Sequence, residues 1–379
     1  MGTDTGNFGI IVSGGPAPGI NSVIASVTIE AENRGYKVYG FRDGFRGLLS
    51  DEEHSVVPLS INSVSHISRT GGSVLGTSRY NPLSHKDAGN RICSKLEKLL
   101  IDKLVVIGGE GSAYLSYRLT TLSDAVKVAH IPKTIDNDLI LPNDYPSFGF
   151  ETARSIGTEI LATLIEDAIT TNRWFIVSSM GRSAGFLALG MGLAAGATLT
   201  IIPEEFSDQY ISPLEVAEII FGSILKRFRY GKHYGVALMA EGLIDRFDAS
   251  RVPELQNITR DELGRIRYAD VRLEDLVAGQ LRRLCKENEL EVKITTKNIG
   301  YELRCHAPLS FDIEYTKFLG HGAVRFLLEG RSGIVIVRNY DNIEYVKLSE
   351  MLTADGRIAA RRVDLGSDFY KVARSFMIR

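Results

Sequence analysis

Cysteine is scarce and unpatterned: Cys93, Cys285 and Cys305 are the only three, far apart, with no CxxC and no Cys/His ligand spacing. That excludes a disulfide framework and a zinc site of familiar spacing, and it suits a reducing compartment. Charge of one sign is lacking too. Forty-four Lys and Arg stand against 46 Asp and Glu, a formal net charge of −2. The chain therefore has neither the basic stripe of a nucleic-acid binder nor an acidic tail. No apolar run reaches the roughly 18 residues of a membrane-spanning helix; the longest candidate, "GFLALGMGLAAGATLTIIP", is full of Gly and Ala and ends at Pro203. The start, "MGTDTGNFGIIVSGG", lacks the basic region and apolar stretch of a signal peptide. Met-Gly with Thr5 fits a myristoylation pattern, but an ordinary start is the simpler account. The expectation is a cytoplasmic protein with neither a nucleic-acid nor a membrane partner.

What is present is an ordinary globular composition, 379 residues of which 44% are hydrophobic and 24% charged, enough to bury a sizeable core in two domains. Strand and helix alternate. "FGIIV" reads as a strand ended by "SGGPAPG", followed by a helix, "INSVIASVTIEAENRG", closing with Gly35. "KVYGF" is a strand, "ICSKLEKLLID" a helix, "KLVVIGG" and "AVKVAHI" strands. After a helix over roughly 151–171 the pattern restarts with "RWFIVSS", "SAGFLALGMGLAAG", "ATLTIIP" and "YGVALMAEG". "SPLEVAEIIFGSILKRF" opens on a capping box, with Ser212 as N-cap, Pro213 in the first turn and Glu215 three residues on. Continuous apolar strands alternating with helices mean parallel sheets covered on both faces. Two similar α/β domains sharing a cleft are expected.

Ligands bind at strand ends in such sheets, where helix N-termini and loop amides converge. Four strand ends are unusual. "SGGPAPGIN" lets backbone approach a ligand at Gly14 and Gly15, but it is not a Walker loop, because Ile20 stands where Lys is needed. "IGGEGSAY" places Glu110 between glycines, which makes sense beside phosphate only if Mg²⁺ lies between them. It is not a Rossmann fingerprint, since Tyr114 replaces the third glycine. "HIPKTIDNDLILP" packs Lys133, Thr134, Asp136, Asn137 and Asp138 into six residues. One acid can take a proton from a hydroxyl while the other holds metal or position, and the Lys and Thr can meet a transferring phosphoryl. "SSMGRSAG" sets Arg182 at a helix start, a natural anion contact.

In this order, "GGPAPGIN", "GGSVLGTSR", "GGEGS", "PKTIDND" and "MGR", with "AEG" at Glu241 and "GYELRCHAPLSFD" from Gly300, resemble the phosphofructokinase family over nearly the whole chain. The resemblance implies two similar three-layer α/β domains with mostly parallel sheets and a cleft between them. The donor-binding domain would be residues 1–149 with roughly 303–365, and the sugar-phosphate domain 150–302 with roughly 366–379. The implied reaction is phosphoryl transfer to the 1-hydroxyl of fructose 6-phosphate. Asp136 would be the general base and Asp138 a metal or positioning partner. Lys133 and Thr134 would meet the transferred group. Gly15, Arg79, Gly109, Glu110, Gly111 and Ser112 would hold the donor and Mg²⁺, with Glu110 and Asp138 as metal ligands. Met180, Gly181, Arg182, Glu241 and Tyr301, with Thr134, Asp136 and Asp138, would hold the sugar phosphate, and Arg304 its 6-phosphate; Arg182 would also be catalytic. Arg173 matches an arginine lent by a neighbouring subunit, so a homodimer or homotetramer is implied.

Several positions depart from the family pattern. Tyr301 replaces a histidine, "RCHAP" stands where many members have "RGG", and Glu110 replaces an Asp. Thr295, flanked by Lys293 and Lys297, takes the place of a second intersubunit arginine. Two positions track the donor in this family: glycine at both goes with ATP, aspartate then lysine with pyrophosphate. This chain has Gly111 and Lys133, one of each kind. A glycine leaves room for a nucleotide where an aspartate would block it, so ATP is the expected donor. Pyrophosphate is the alternative, and a catalytically weakened sugar-phosphate or nucleotide sensor is a third reading.

Overall fold

The computed structural model describes residues 6–84, 87–206, 210–256, 268–354 and 356–379. The Met-Gly start and Thr5 of the myristoylation pattern lie outside the described residues. The chain divides into two compact units, Met1–Thr152 with Arg304–Ala360, and Ala153–Leu303 with Arg361–Arg379. The strands along the chain are β1 (Asn7–Val12), β2 (Val38–Phe41), β3 (Val56–Leu59), β4 (Ile101–Gly108), β5 (Lys127–Thr134), β6 (Phe148–Gly149), β7 (Trp174–Ser179), β8 (Leu199–Ile201), β9 (Gly235–Ala240), β10 (Ile294–Ile299), β11 (Ile334–Asn339) and β12 (Asn342–Lys347).

The first unit is built on an eight-stranded sheet of order β12-β11-β5-β4-β1-β2-β3, with β6 pairing on β5. Its centre, β5-β4-β1-β2, is parallel, and antiparallel pairs close both edges. Leu104, Val105, Val106 and Ile107 of β4 follow one another without alternation and are all fully buried. Apolar cover on both sheet faces is what makes that run stable. One face is packed by the helices Ile20–Asn33 and Ser310–Leu328, whose Ile20, Val23, Val27, Tyr315, Leu319 and Ala323 join the strands in one core. The second unit holds a four-stranded parallel sheet of order β10-β7-β9-β8. In it the helix Pro213–Phe228 starts as the sequence implies. Ser212 Oγ accepts from the Glu215 N–H at 3.3 Å, and the Glu215 carboxylate accepts from the Ser212 N–H at 2.7 Å. Both units are α/β. No helix of the described residues is long and apolar enough to cross a membrane.

Two boundaries differ from the sequence expectation. The helix anticipated through "LLID" ends at Lys98, because Leu100 turns to a left-handed φ of 53° and Ile101 already belongs to β4. The strand anticipated to end near Ile131 runs on through Thr134, because Lys133 and Thr134 pair with Phe148 and Gly149 of β6.

Candidate active site

In the first unit, three adjacent parallel strands deliver their C-terminal ends to one place. β1 ends at Val12 and leads into Ser13, Gly14 and Gly15, β4 ends at Gly108, and β5 carries Lys133 and Thr134. Their closeness is measured by the glycines. A Cβ on Gly14 would lie 3.5 Å from Lys133 Nζ and 3.9 Å from Ser112 Oγ, and one on Gly109 would lie 3.3 Å from the Lys133 carbonyl oxygen. The Lys133 ammonium donates to the Gly15 carbonyl. "GTSR" flanks the same turn: the Gly14 N–H donates to the Ser78 carbonyl at 2.8 Å, and the Thr77 hydroxyl donates to the Gly14 carbonyl at 2.8 Å. That places Arg79 one residue beyond the loop, exposed.

Past Thr134 the backbone folds back on itself. The Asp136 N–H donates to Thr134 Oγ1 at 3.0 Å, and Asn137 adopts a left-handed φ of 54°. The Ser147 hydroxyl donates to the Thr134 carbonyl at 3.0 Å, and its N–H donates to Asn137 Oδ1 at 3.3 Å. Such pinning holds a strained, acid-rich turn in one geometry, a form of strain that clusters at functional sites. Lys133, Thr134 and Asp136 are 3%, 8% and 8% exposed, so their charges and dipoles act with little screening by water. Glu110 and Gly111 open the helix Glu110–Leu122 at the end of β4.

In the second unit the ends of β10, β7 and β9 carry Gly300–Tyr301, Met180–Arg182 and Glu241. The Glu241 carboxylate accepts from the Gly181 N–H at 3.3 Å and the Arg182 N–H at 2.9 Å. Those two bonds hold Gly181 at φ 152° and Arg182 at a left-handed φ of 51°. The Met180 N–H donates to the Ile299 carbonyl at 3.0 Å, tying the loop to β10.

The profile described as phosphofructokinase matches residues 7–327. The chain belongs to the phosphofructokinase family. Two relatives carry the name pyrophosphate–fructose 6-phosphate 1-phosphotransferase. One, from Thermotoga maritima, is 44% identical over 98% of this chain and 90% of its own; the other, from Naegleria fowleri, is 41% identical over 98% and 88%. ATP-dependent 6-phosphofructokinase 3 of Streptomyces coelicolor is 32% identical, over 90% of this chain and 94% of its own. Among solved structures, the pyrophosphate-dependent phosphofructokinase of Marinobacter aquaeolei aligns with a TM-score of 0.73 over 98% of this chain and 91% of that one, at 21% identity, a likeness of fold.

The phosphofructokinase motifs thus fall into two groups, one in each unit. The first unit brings together Gly15, Gly109, Ser112, Lys133, Thr134 and Asp136. Glu110, Gly111 and Asp138 lie on the same loops. The second unit brings together Met180, Gly181, Arg182, Glu241 and Gly300, with Tyr301 next in the chain and 62% exposed. Arg304, expected on the sugar 6-phosphate, lies in the first unit against the Gly14–Gly15 turn. A Cβ on Gly15 would meet its guanidinium, with Cζ 3.2 Å away. Arg173 lies at the opposite end of β7 from Met180, with Nε donating to Thr171 Oγ1 at 2.7 Å and Nη1 3.5 Å from Thr295 Oγ1. Its own chain's fold therefore does not bring it to Arg182.

Electrostatics mark the first group. Burial, and then the Arg304 charge, pull the Lys133 ammonium from 10.5 down to about 7, against the pull of Asp136 and Asp138. Beneath it His130 is fully buried and brought down to about 3, chiefly by burial, so it is neutral; one ring nitrogen lies 3.0 Å from the Gly108 carbonyl and the other 3.1 Å from Ser116 Oγ. Among the described residues no group of three or more His, Cys, Asp or Glu is placed to hold a metal. Glu110 and Asp138 are two carboxylates on the loops that follow β4 and β5. That donor set fits Mg²⁺, which is bound by one or two carboxylates and completed by substrate phosphates and water.

Proposed function

We propose that the chain moves a phosphoryl group from pyrophosphate to the 1-hydroxyl of fructose 6-phosphate, giving fructose 1,6-bisphosphate and orthophosphate. The observation that carries the donor is the place of Lys133, a buried ammonium against the Gly14–Gly15 turn with Arg304 beside it. Pyrophosphate brings no nucleoside whose remote binding energy can be used at the reacting centre. Its site must draw both binding and charge stabilisation from cations at the phosphates themselves, and Lys133, Arg304 and Arg79 surround one loop. The relatives at 44% and 41% identity support the same donor. Gly111, from which ATP was expected, leaves room for a nucleotide without recruiting one. ATP is the second reading, and the relative at 32% is its support.

In the proposed mechanism Asp136 takes the proton of the sugar 1-hydroxyl as that oxygen attacks the nearer phosphorus. The bond from that phosphorus to the bridging oxygen breaks, and orthophosphate leaves. Lys133 and the Thr134 hydroxyl stabilise the charge spread over the equatorial oxygens, so positioning and electrostatics carry the catalysis. Mg²⁺ held by Glu110 and Asp138 would neutralise phosphate charge. Gly181 and Arg182, set by Glu241, hold the sugar phosphate. Arg173 serves the site of a second copy of the chain in a homodimer or homotetramer.

The two arginines give a contrast. Arg182→Ala is expected to raise KM for fructose 6-phosphate about tenfold or more, as loss of a charged hydrogen-bonding partner does. Arg304→Ala should raise KM for the donor instead. Steady-state kinetics with each substrate varied separates the two; an Arg304→Ala defect confined to the sugar would return that residue to the 6-phosphate. The function itself is tested by phosphorus NMR of the wild-type protein with Mg²⁺. Pyrophosphate should disappear only when fructose 6-phosphate is present, with fructose 1,6-bisphosphate and orthophosphate forming together. Consumption of ATP alone would favour the second reading, and consumption of neither donor would remove both.

A further inference from the structure

One fully buried acid has no task in that mechanism. Asp312 is 0% exposed, stands in the first turn of the helix Ser310–Leu328, and ends the "GYELRCHAPLSFD" stretch. One carboxylate oxygen accepts from the Gly149 N–H at 2.8 Å. The other accepts from the Thr152 N–H at 2.9 Å and the Thr152 hydroxyl at 2.5 Å. All three residues of this contact lie in the first unit. Burial raises the carboxyl pKa, and the Thr152 and Gly149 donors pull it back.

Gly149 is where two loops of the first unit meet. Its φ of 93° requires glycine, and a Cβ there would come within 2.9 Å of Ala17 Cβ and 3.2 Å of the Pro18 carbonyl oxygen. The residue therefore lies directly on the "SGGPAPG" turn. It also belongs to β6, in which Phe148 pairs with Lys133 and Gly149 with Thr134. Ser147, just before β6, holds the Thr134 carbonyl and the Asn137 side chain.

We propose that Asp312 is a positioning residue for the phosphoryl transfer described above. By fixing Gly149 and Thr152 it holds β6, and through β6 it holds the Lys133–Asp138 loop and the Ala17–Pro18 turn in reacting register. The Gly149 and Thr152 N–H groups are the N-cap and N3 donors of the helix Phe150–Thr171, so Asp312 caps that helix from outside it. The N-cap it holds, Gly149, is also the residue that pairs with Thr134 and abuts Ala17 and Pro18, which links the cap to the site loops. Both oxygens accept, so an amide cannot replace the carboxylate without leaving buried donors unpaired. The inference rests on the proposed function for its kinetic test, and a second readout is independent of any substrate.

Asp312→Asn and Thr152→Val, made in the full chain, are compared with wild type for kcat and both KM values, using pyrophosphate and ATP in turn. Asp312→Asn should lower kcat by about a hundredfold, the scale of a 1 Å misplacement, with each KM within about twofold. Thr152→Val removes the hydroxyl that donates to Asp312 and accepts from the Leu309 N–H at 3.0 Å. It keeps the Thr152 and Gly149 N–H bonds to the carboxylate, so it should lower kcat less, again without moving KM. Amide hydrogen exchange should speed up in both variants at residues 133–138 and 147–152 and stay unchanged over Pro213–Phe228 of the second unit. A kcat within about twofold of wild type in both variants, or a loss confined to KM, would overturn the proposal. Should the wild-type protein transfer from neither donor, or Asp312→Asn fail to fold, exchange in Thr152→Val decides: unaltered protection at 133–138 overturns it.

Discussion

Asp136→Asn is expected to lower kcat by roughly 10²–10⁴-fold, the worth of a positioned general base, while KM for fructose 6-phosphate stays near its wild-type value. The side chain is 8% exposed and its own N–H is held by Thr134 Oγ1 at 3.0 Å, so the backbone that aims it does not depend on the carboxylate. The amide keeps the shape and removes only the ability to accept the hydroxyl proton. Stopped-time assays of fructose 1,6-bisphosphate formation, with a sugar titration beside them, give both constants. More than about a tenth of wild-type turnover would mean that another group takes the proton, since a base worth keeping contributes at least about a hundredfold.

Lys133→Met should lower kcat/KM for pyrophosphate by about 10²–10³-fold, the cost of removing one preorganised charge stabiliser from a dry site. Methionine keeps most of the buried stem and carries no charge, so the fold should lose little. A buried ammonium without a donor phosphate is itself costly to keep charged. The pH profile sharpens the test. With the ammonium brought down to about 7 by burial and Arg304, the free protein holds it protonated below that pH and loses it above. Wild-type kcat/KM for pyrophosphate should therefore fall as pH rises through about 7. At saturating donor the limb should move to higher pH, because bound phosphate favours the ammonium. In Lys133→Met that limb should be absent. An unchanged alkaline limb in the variant would assign it to another group.

The parts of this structure that the sequence discloses are those written in short range. The capping box at Ser212 and Glu215 is two side chains three residues apart, and it forms as spelled. The apolar runs of β4 and β7 announce strands buried on both faces. The motif loops, written in contiguous residues, come together at adjacent strand ends of the first unit. What stayed hidden depends on distant pairing. β5 continues through Lys133 because β6, fifteen residues further on, supplies a partner, and nothing in the apolar pattern encodes that. Arg304 meets the Gly14–Gly15 turn from 289 residues away in the chain, a contact that no local motif encodes. Asp312 was visible as the last letter of a quoted motif, but its bonds to Gly149 and Thr152 span 163 and 160 residues. Periodicity also says nothing about the antiparallel β11–β12 pair that closes one sheet edge.

The donor is the point on which Gly111 and Lys133 disagree, and one ratio decides it: kcat/KM for pyrophosphate against kcat/KM for ATP, measured on the purified protein with Mg²⁺ and saturating fructose 6-phosphate. With Lys133, Arg304 and Arg79 supplying the binding and Gly111 merely permitting a nucleotide, pyrophosphate should be preferred by at least about a hundredfold, a difference of about 3 kcal/mol between the two transition states. A ratio that favours ATP would contradict the account, and would mean that the space at Gly111, rather than the cation at Lys133, chooses the donor.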